Sequence, residues 1–216
     1  MILSNVIPQL IGGMFTSIQI FLLTLLFALP LGLVIAGGRM SSIAPLRWLT
    51  KIYISIMRGT PLMLQLIVVF FAPYYVFGIS LSADYRFVAV IIAFTINYAA
   101  YFAEIYRGGI EAIPKGQYEA AQVLGYSRLE TFFTIILPQV FKIILPSVTN
   151  EVITLVKDTS LSFVIAIPEM FTVAKQIAAA DASIAALLVA GIFYYVFNML
   201  VAFVMEHLEN RLSYYE

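Results

Sequence analysis

The chain has 216 residues, 62% of them hydrophobic and 11% charged, with a mean hydropathy of +0.98. Soluble domains carry about a quarter charged residues, so this composition marks an integral membrane protein. Twelve basic residues balance twelve acidic ones and there is no cysteine, which excludes a basic surplus for nucleic acid, a disulfide framework and a thiolate nucleophile or metal ligand.

About 20 apolar residues cross a bilayer, so uncharged stretches mark the spans. The first 38 residues carry no charge. They are too long for a signal-peptide core and lack its basic start, which places a span over roughly 15–38 with Met1 to Met14 as an outer lead-in. Gly59 to Ala83 is uncharged for 25 residues and Phe87 to Ala103 for 17. With the polar turn Ser82-Ala83-Asp84-Tyr85-Arg86 between them, they read as a membrane hairpin with spans over roughly 59–80 and 87–106. A fourth span over 134–156 is interrupted by Lys142 and Glu151, and a fifth over 182–206 is clean. Between these last two, Thr159 to Asp181 is apolar but broken by Pro168. Its Phe163 to Ile167 stretch is too short to cross and is expected to be re-entrant or interfacial. Pro30, Pro61, Pro138 and Pro146 mark expected kinks or helix ends.

The expected fold is all-α, with five transmembrane helices in a single domain, 1–216. Orientation follows from the basic residues. With the N-terminus outside and the C-terminus cytoplasmic, Arg39, Arg47, Lys51, Arg58, Arg107, Lys115, Arg128, Lys142 and Arg211 lie at the inner side, leaving Arg86, Lys157 and Lys175 outside. The connection 107–133 then faces the cytoplasm.

That loop is punctuated. Pro114 suits the first turn of a short helix, Gly125 the left-handed residue that closes it, and Ser127 with Glu130 a capping box opening the next. Ala120 and Ala121 allow close approach of another backbone, and Glu119 offers a charge to a basic partner. An amphipathic helix resting on the membrane surface is the competing local reading.

Glu119-Ala120-Ala121, then Gly125 after three residues, Ile135 after nine more and Leu137-Pro138 resemble the EAA loop of ABC importer permeases. Arg58-Gly59-Thr60-Pro61, Glu104-Ile105-Tyr106-Arg107-Gly108-Gly109 and Lys157-Asp158-Thr159-Ser160-Leu161 are similar to the subgroup importing polar amino acids of the histidine, glutamine and arginine type, a basic amino-acid importer above all. The resemblance covers nearly the whole chain. It implies a type I ABC importer permease fold in a bacterial cell membrane, with Glu119, Ala120, Ala121 and Gly125 in coupling helices that dock into a cytoplasmic ATPase. It further implies two ATPase subunits, an extracytoplasmic amino-acid-binding protein, and a second permease that is either identical or homologous. The sequence contains no Gly-Lys dipeptide and hence no phosphate loop of the Walker type. No cofactor is expected in this chain, and ATP with Mg is expected on the partner ATPase.

Acidic residues within spans are costly and need a partner or a water-filled path. On the third span Asn97, Tyr101 and Glu104 share a helical stripe; on the fourth Glu151, Thr154 and Asp158 do so, with Asn150 alongside. The two stripes could face one cavity, pairing acids with a substrate ammonium or guanidinium and the other side chains with its polar atoms. The excess of acid favours a cationic amino acid. Structural ion pairs are the competing reading: Lys157 with Asp158, Arg107 with Glu104, Lys142 with another acid. Glu151 has the strongest case for substrate contact.

An ion-coupled secondary transporter or channel subunit, with Glu104, Glu151 and Asp158 carrying protons or cations, is the alternative function. No His-Glu-x-x-His motif and no intramembrane Ser/His pair is present, so catalysis by this chain is not expected. His207, beside Glu206 and Glu209, reads as a solvated helix end rather than a metal ligand. The 17 Phe and 13 Tyr, among them Tyr74, Tyr75, Tyr194 and Tyr195, read as packing or interfacial belts.

Overall fold

A computed structural model describes residues 2–82 and 84–212, with side chains from residue 6 to residue 211. Met1, and Ala83 of the expected polar turn, lie outside the described residues. Helix α1 runs over Ile2–Arg39, α2 over Ala44–Gly59, α3 over Leu62–Phe77 and α4 over Tyr85–Glu111. Then come α5, Lys115–Val123, and α6, Arg128–Glu130, which continues through a wide π turn, Thr131–Ile136, into α7, Leu137–Asp158. A 3-10 segment, Thr159–Ile165, extends α7, and α8, Met170–Ala180, and α9, Ala185–Leu212, complete the chain.

Among the described residues four helices are long and apolar enough to cross a membrane, and a fifth crossing is reached only by counting the bent pair α2 and α3 as one span. The expected lead-in before Phe15 is already helical from Ile2 onward, because Pro8 and Pro30 are accommodated inside α1. The expected second span, 59–80, holds the shorter helix α3, and a sharp bend falls at its start, where Pro61 marks an expected kink or helix end. Pro61 has no N–H to continue α2 and disfavours a helical Thr60, which sits extended at φ −125, ψ 149; α3 leaves at 111° to α2. Tyr85 and Arg86 of the expected turn belong to the first turn of α4. The fourth span is longer than 134–156, since Arg128 to Ile165 passes as one apolar unit. At its start Pro138 disturbs the helical ladder, and Gln139 Nε2 caps the carbonyl of Ile135 at 2.7 Å. The fifth begins at Ala185 rather than 182, because Ala182 is left-handed at φ 48. After the 3-10 segment, left-handed Ala166 turns the chain at φ 56 and α8 follows with 11 residues, too short to cross at about 1.5 Å per residue.

Helix α4 is the centre of the bundle: 61% of its span is buried, against 11% for α9, so α9 is peripheral. Helices α1, α2, α3 and α7 all pack on α4. Small residues permit this, with Ala89, Ala93, Ala99, Ala100 and Ala103 completely buried. Gly109 marks the closest approach of α7, since a Cβ there would stand 2.1 Å from Ile144 Cγ2 and 3.3 Å from Val140 Cγ1. Gly109→Ala is therefore expected to cost about 1–3 kcal/mol through forced separation of α4 and α7. Gly108→Ala, with open space around its Cβ, is the control; equal thermal midpoints for the two purified variants would refute the packing argument.

Candidate functional site

At one end of the bundle α5 lies against the π turn. Pro114 takes the N-cap position just outside the first turn, where its fixed φ of −59 leads into the helix. Gly125 closes it at φ 84, with Tyr126 N donating to Ala121 O at 3.0 Å and Gly125 N to Gln122 O at 3.1 Å, a double-bonded left-handed cap. The capping box is also present: Glu130 N donates to Ser127 Oγ at 3.3 Å and Ser127 N to Glu130 Oε2 at 2.9 Å. Glu119 and Ala120 are exposed, whereas Ala121 is buried inward. The sequence reading missed the apolar groups around them: Val123, Leu124 and Leu129 are 87%, 74% and 71% exposed. Polar turn residues between them concealed the patch. Gly125→Ala is expected to cost about 1–2 kcal/mol because a Cβ is penalised at positive φ. Gly125→Asn should recover part of that loss in thermal unfolding of the purified protein, and equal stability of all three would contradict the strained cap.

A cavity of about 350 Å³ opens among α2, α4 and α7, lined by Arg58 at the end of α2, by Tyr101, Glu104, Gly108 and Gly109 of α4, and by Ser147 and Glu151 of α7. The Arg58 guanidinium lies over the Tyr101 ring, 5.3 Å from its centroid. Glu104 Oε2 pairs with Arg107 Nη2 at 2.6 Å, and its Oε1 stands 3.6 Å from Arg39 Nε on α1. Arg107 also pairs with Glu111. Among the described residues Glu151 makes no hydrogen bond and no ion pair within 4.0 Å, and Arg58 makes no ion pair within that distance. The cavity therefore presents one cation and one anion not yet neutralised by a contact, beside a third charge shared with two arginines.

Of the residues singled out in the sequence, Tyr101, Glu104 and Glu151 meet at this cavity and the others do not line it. Buried Asn97 donates through Nδ2 to Met57 O at 3.0 Å and Gln65 Oε1 at 2.9 Å. Asp158 Oδ2 accepts from Tyr98 OH at 2.7 Å, tying α7 to α4; the tyrosine takes the place of the Lys157 pairing weighed from sequence. Thr154 Oγ1 donates back to Asn150 O at 2.8 Å on its own helix, and Asn150 is exposed. Lys142 forms no ion pair among the described residues.

Arg58 and Ser147 are cavity residues that the sequence reading missed. For Arg58 the signal was present in Thr60-Pro61, which ends a helix and so places Arg58 in its last turn. Glu169 was missed as well. It is completely buried as the N-cap of α8, accepting from Phe171 N and Thr172 N at 2.7 Å, Thr172 Oγ1 at 2.8 Å and Tyr194 OH at 2.9 Å. Among the described residues no three His, Asp or Glu stand together as a metal site.

Residues 28–214 match the model of the family described as "Binding-protein-dependent transport system inner membrane component". The chain belongs to this family. It is thus a multi-pass permease subunit of a bacterial ABC transporter in the inner membrane. Among curated proteins it is 37% identical to the L-cystine transport system permease protein TcyB of Bacillus subtilis (strain 168), over 96% of this chain and 88% of that one. It is 36% identical to the arginine transport system permease protein ArtQ of the same organism, over 96% and 94%. It is also 31% identical to the glutamate/aspartate import permease protein GltK of Escherichia coli O157:H7, over 95% and 94%. Among solved structures, a chain from the crystal structure of an amino acid ABC transporter with histidines superposes with a TM-score of 0.88 at 30% identity, covering 97% of this chain and 96% of that one. A chain of the MetNI methionine ABC transporter, at 17% identity, shares the fold with a TM-score of 0.74 over 94% and 96%.

Proposed function

We propose that this permease translocates an amino acid, of the cationic class, through the cavity among α2, α4 and α7. The observation that carries the reading is the opposition of Arg58 and Glu151 in one space of about 350 Å³, within the range of small-molecule sites. Every amino acid at neutral pH offers a carboxylate and an ammonium, and these two side chains answer them as charge-assisted partners. A guanidinium, imidazolium or ammonium side chain then meets Glu104, displacing Arg107 or Arg39 from it. The named substrates of the relatives, cystine, arginine, glutamate and aspartate, share the zwitterionic head group and differ in the side chain.

In this mechanism the N-terminus lies outside and α5 with α6 faces the cytoplasm. Two permeases, identical or homologous, form a twofold pair with two ATPase subunits inside and an amino-acid-binding protein outside. ATP and Mg act on the ATPase, whose closure is passed through Glu119, Ala120 and Gly125 at the surface of α5, with Ala121 fixing that helix to the π turn. Alternating access follows from two states that open the cavity to opposite sides, each favoured by a different partner.

The testing experiment is ATPase activity in proteoliposomes holding the permease with its ATPase and binding protein, with and without arginine, histidine, lysine and glutamine. Stimulation by the three basic amino acids alone is expected. Stimulation by glutamine alone would restrict Glu104 to structural pairing, and uptake that collapses with an ionophore but ignores ATP would replace this reading by ion coupling.

A further inference from the structure

The end of α2 raises an accounting problem. Its last carbonyls have no following helical N–H, because Pro61 has none to give and α3 departs at 111°. Side chains take over. Thr60 Oγ1 donates to Ile56 O at 2.8 Å. Gln65 Nε2 reaches Met57 O at 2.9 Å, Thr60 O at 3.1 Å and Thr60 Oγ1 at 2.8 Å. Asn97 Nδ2 of α4 adds a second donor to Met57 O and also holds Gln65 Oε1. Both amides are buried, Gln65 at 8% exposure and Asn97 at 4%. Three helices thus meet in one amide node, and its most heavily bonded acceptor is the carbonyl of Met57.

That carbonyl belongs to the peptide plane joining Met57 to Arg58. Fixing the oxygen of a planar peptide fixes the position of the next Cα, and the helical φ of Arg58 within α2 then sets the direction of its side chain. The side chain in question is the cavity's cation. Its guanidinium is held at the other end over Tyr101, four residues after Asn97 and so on the same face of α4. One helix face therefore holds both the root and the head of Arg58.

We propose that Asn97 and Gln65 are positioning residues that aim Arg58 into the cavity, an inference that rests on the cavity being the amino-acid site. Neither lines the cavity. They act through the Met57 carbonyl, and what they determine is the placement of the group that receives the substrate carboxylate.

A double-mutant cycle separates this from a merely structural role. Uptake is measured in proteoliposomes of the whole complex with radiolabelled L-arginine, L-glutamine and L-cystine as probes, and the cycle is run with a probe the unsubstituted complex transports. Asn97→Leu, which keeps the branched arrangement of four heavy atoms and removes the amide, is expected to slow uptake about tenfold when Arg58 is present, the order expected for a misplaced binding group. With Arg58→Ala already in place, the same substitution is expected to change uptake by less than about twofold. If Asn97→Leu does not assemble, Gln65→Met replaces it in the cycle. Equal fold-losses in both backgrounds, or no loss in either, overturn the positioning role and leave the cavity reading intact. Full uptake in Arg58→Ala alone, or no transport of any probe, overturns the cavity reading itself.

Discussion

Glu169→Ala is expected to lower the stability of the folded permease by about 3 kcal/mol, the largest loss of any single truncation considered. Its carboxyl group is fully buried and accepts from four donors at 2.7 to 2.9 Å, with Ser17 Oγ of α1 at 3.5 Å as a fifth. Two of those donors are the Phe171 and Thr172 N–H groups in the first turn of α8, while the N–H before them, that of Met170, is held by Ser17 Oγ at 3.3 Å. The others come from α1, α8 and α9, so one side chain joins three helices where a small second core forms from Leu10, Met170, Ala174, Ala186 and Ala190. Truncation leaves several buried donors without acceptors, each costing about 1–3 kcal/mol before water or relaxation offsets it. Glu169→Gln, which retains one oxygen but turns an NH₂ toward the donors, is expected to lie between. Thermal unfolding of the purified complex checks the order. A Glu169→Ala protein within about 0.5 kcal/mol of the parent would mean that the node is hydrated and the three helices are held by apolar packing alone.

The same node shows where sequence reasoning stops. Local chemistry was legible: the cap at Gly125 and the box between Ser127 and Glu130 depend on residues within six positions of one another, and both formed as expected. Spans counted from charge-free length were legible where nothing interrupts the ladder, as in α4 and α9. They misled at 59–80, where 25 uncharged residues yield a helix of only 16, which reaches the length of a crossing only together with α2 across the bend at Pro61. The polar stripes were read correctly as faces, yet a stripe does not say which neighbour lies against it. Asn97 met Gln65 from α3, and Asp158 met Tyr98 from α4. Glu151, whose place on α7 brings no basic residue within 4.0 Å among those described, remained open to the cavity, as did Tyr101. Glu169 was hidden because a carboxylate after Pro168 looks like the edge of a polar loop until the helices that cover it are known.

Glu151→Gln is expected to reduce uptake of a cationic amino acid by at least about thirtyfold, as a loss of charge at nearly constant shape. The carboxylate shares the cavity with Arg58, and no other acid there is without a basic contact, since Glu104 is already bound by Arg107 and Arg39. Losing one partner of a desolvated charged hydrogen bond costs about 2–5 kcal/mol, which at 1.4 kcal/mol per factor of ten spans about thirty- to several-thousandfold. The substitution also leaves Arg58 as the only charge in the cavity without a contacting counter-ion, so a cationic substrate is repelled as well as unheld. The loss should be smaller for an amino acid with a neutral side chain, because Glu151 then answers only the α-ammonium. Glu104→Gln makes the complementary case: it frees Arg39, leaves Arg107 to Glu111, and should penalise arginine and lysine more than glutamine. Uptake rates of the two variants for arginine and glutamine, measured beside the parent complex, form a two-by-two comparison of head group against side chain. Unchanged affinity and rate for basic amino acids in Glu151→Gln would remove this carboxylate from the path and leave Arg58 without its opposing partner in substrate capture.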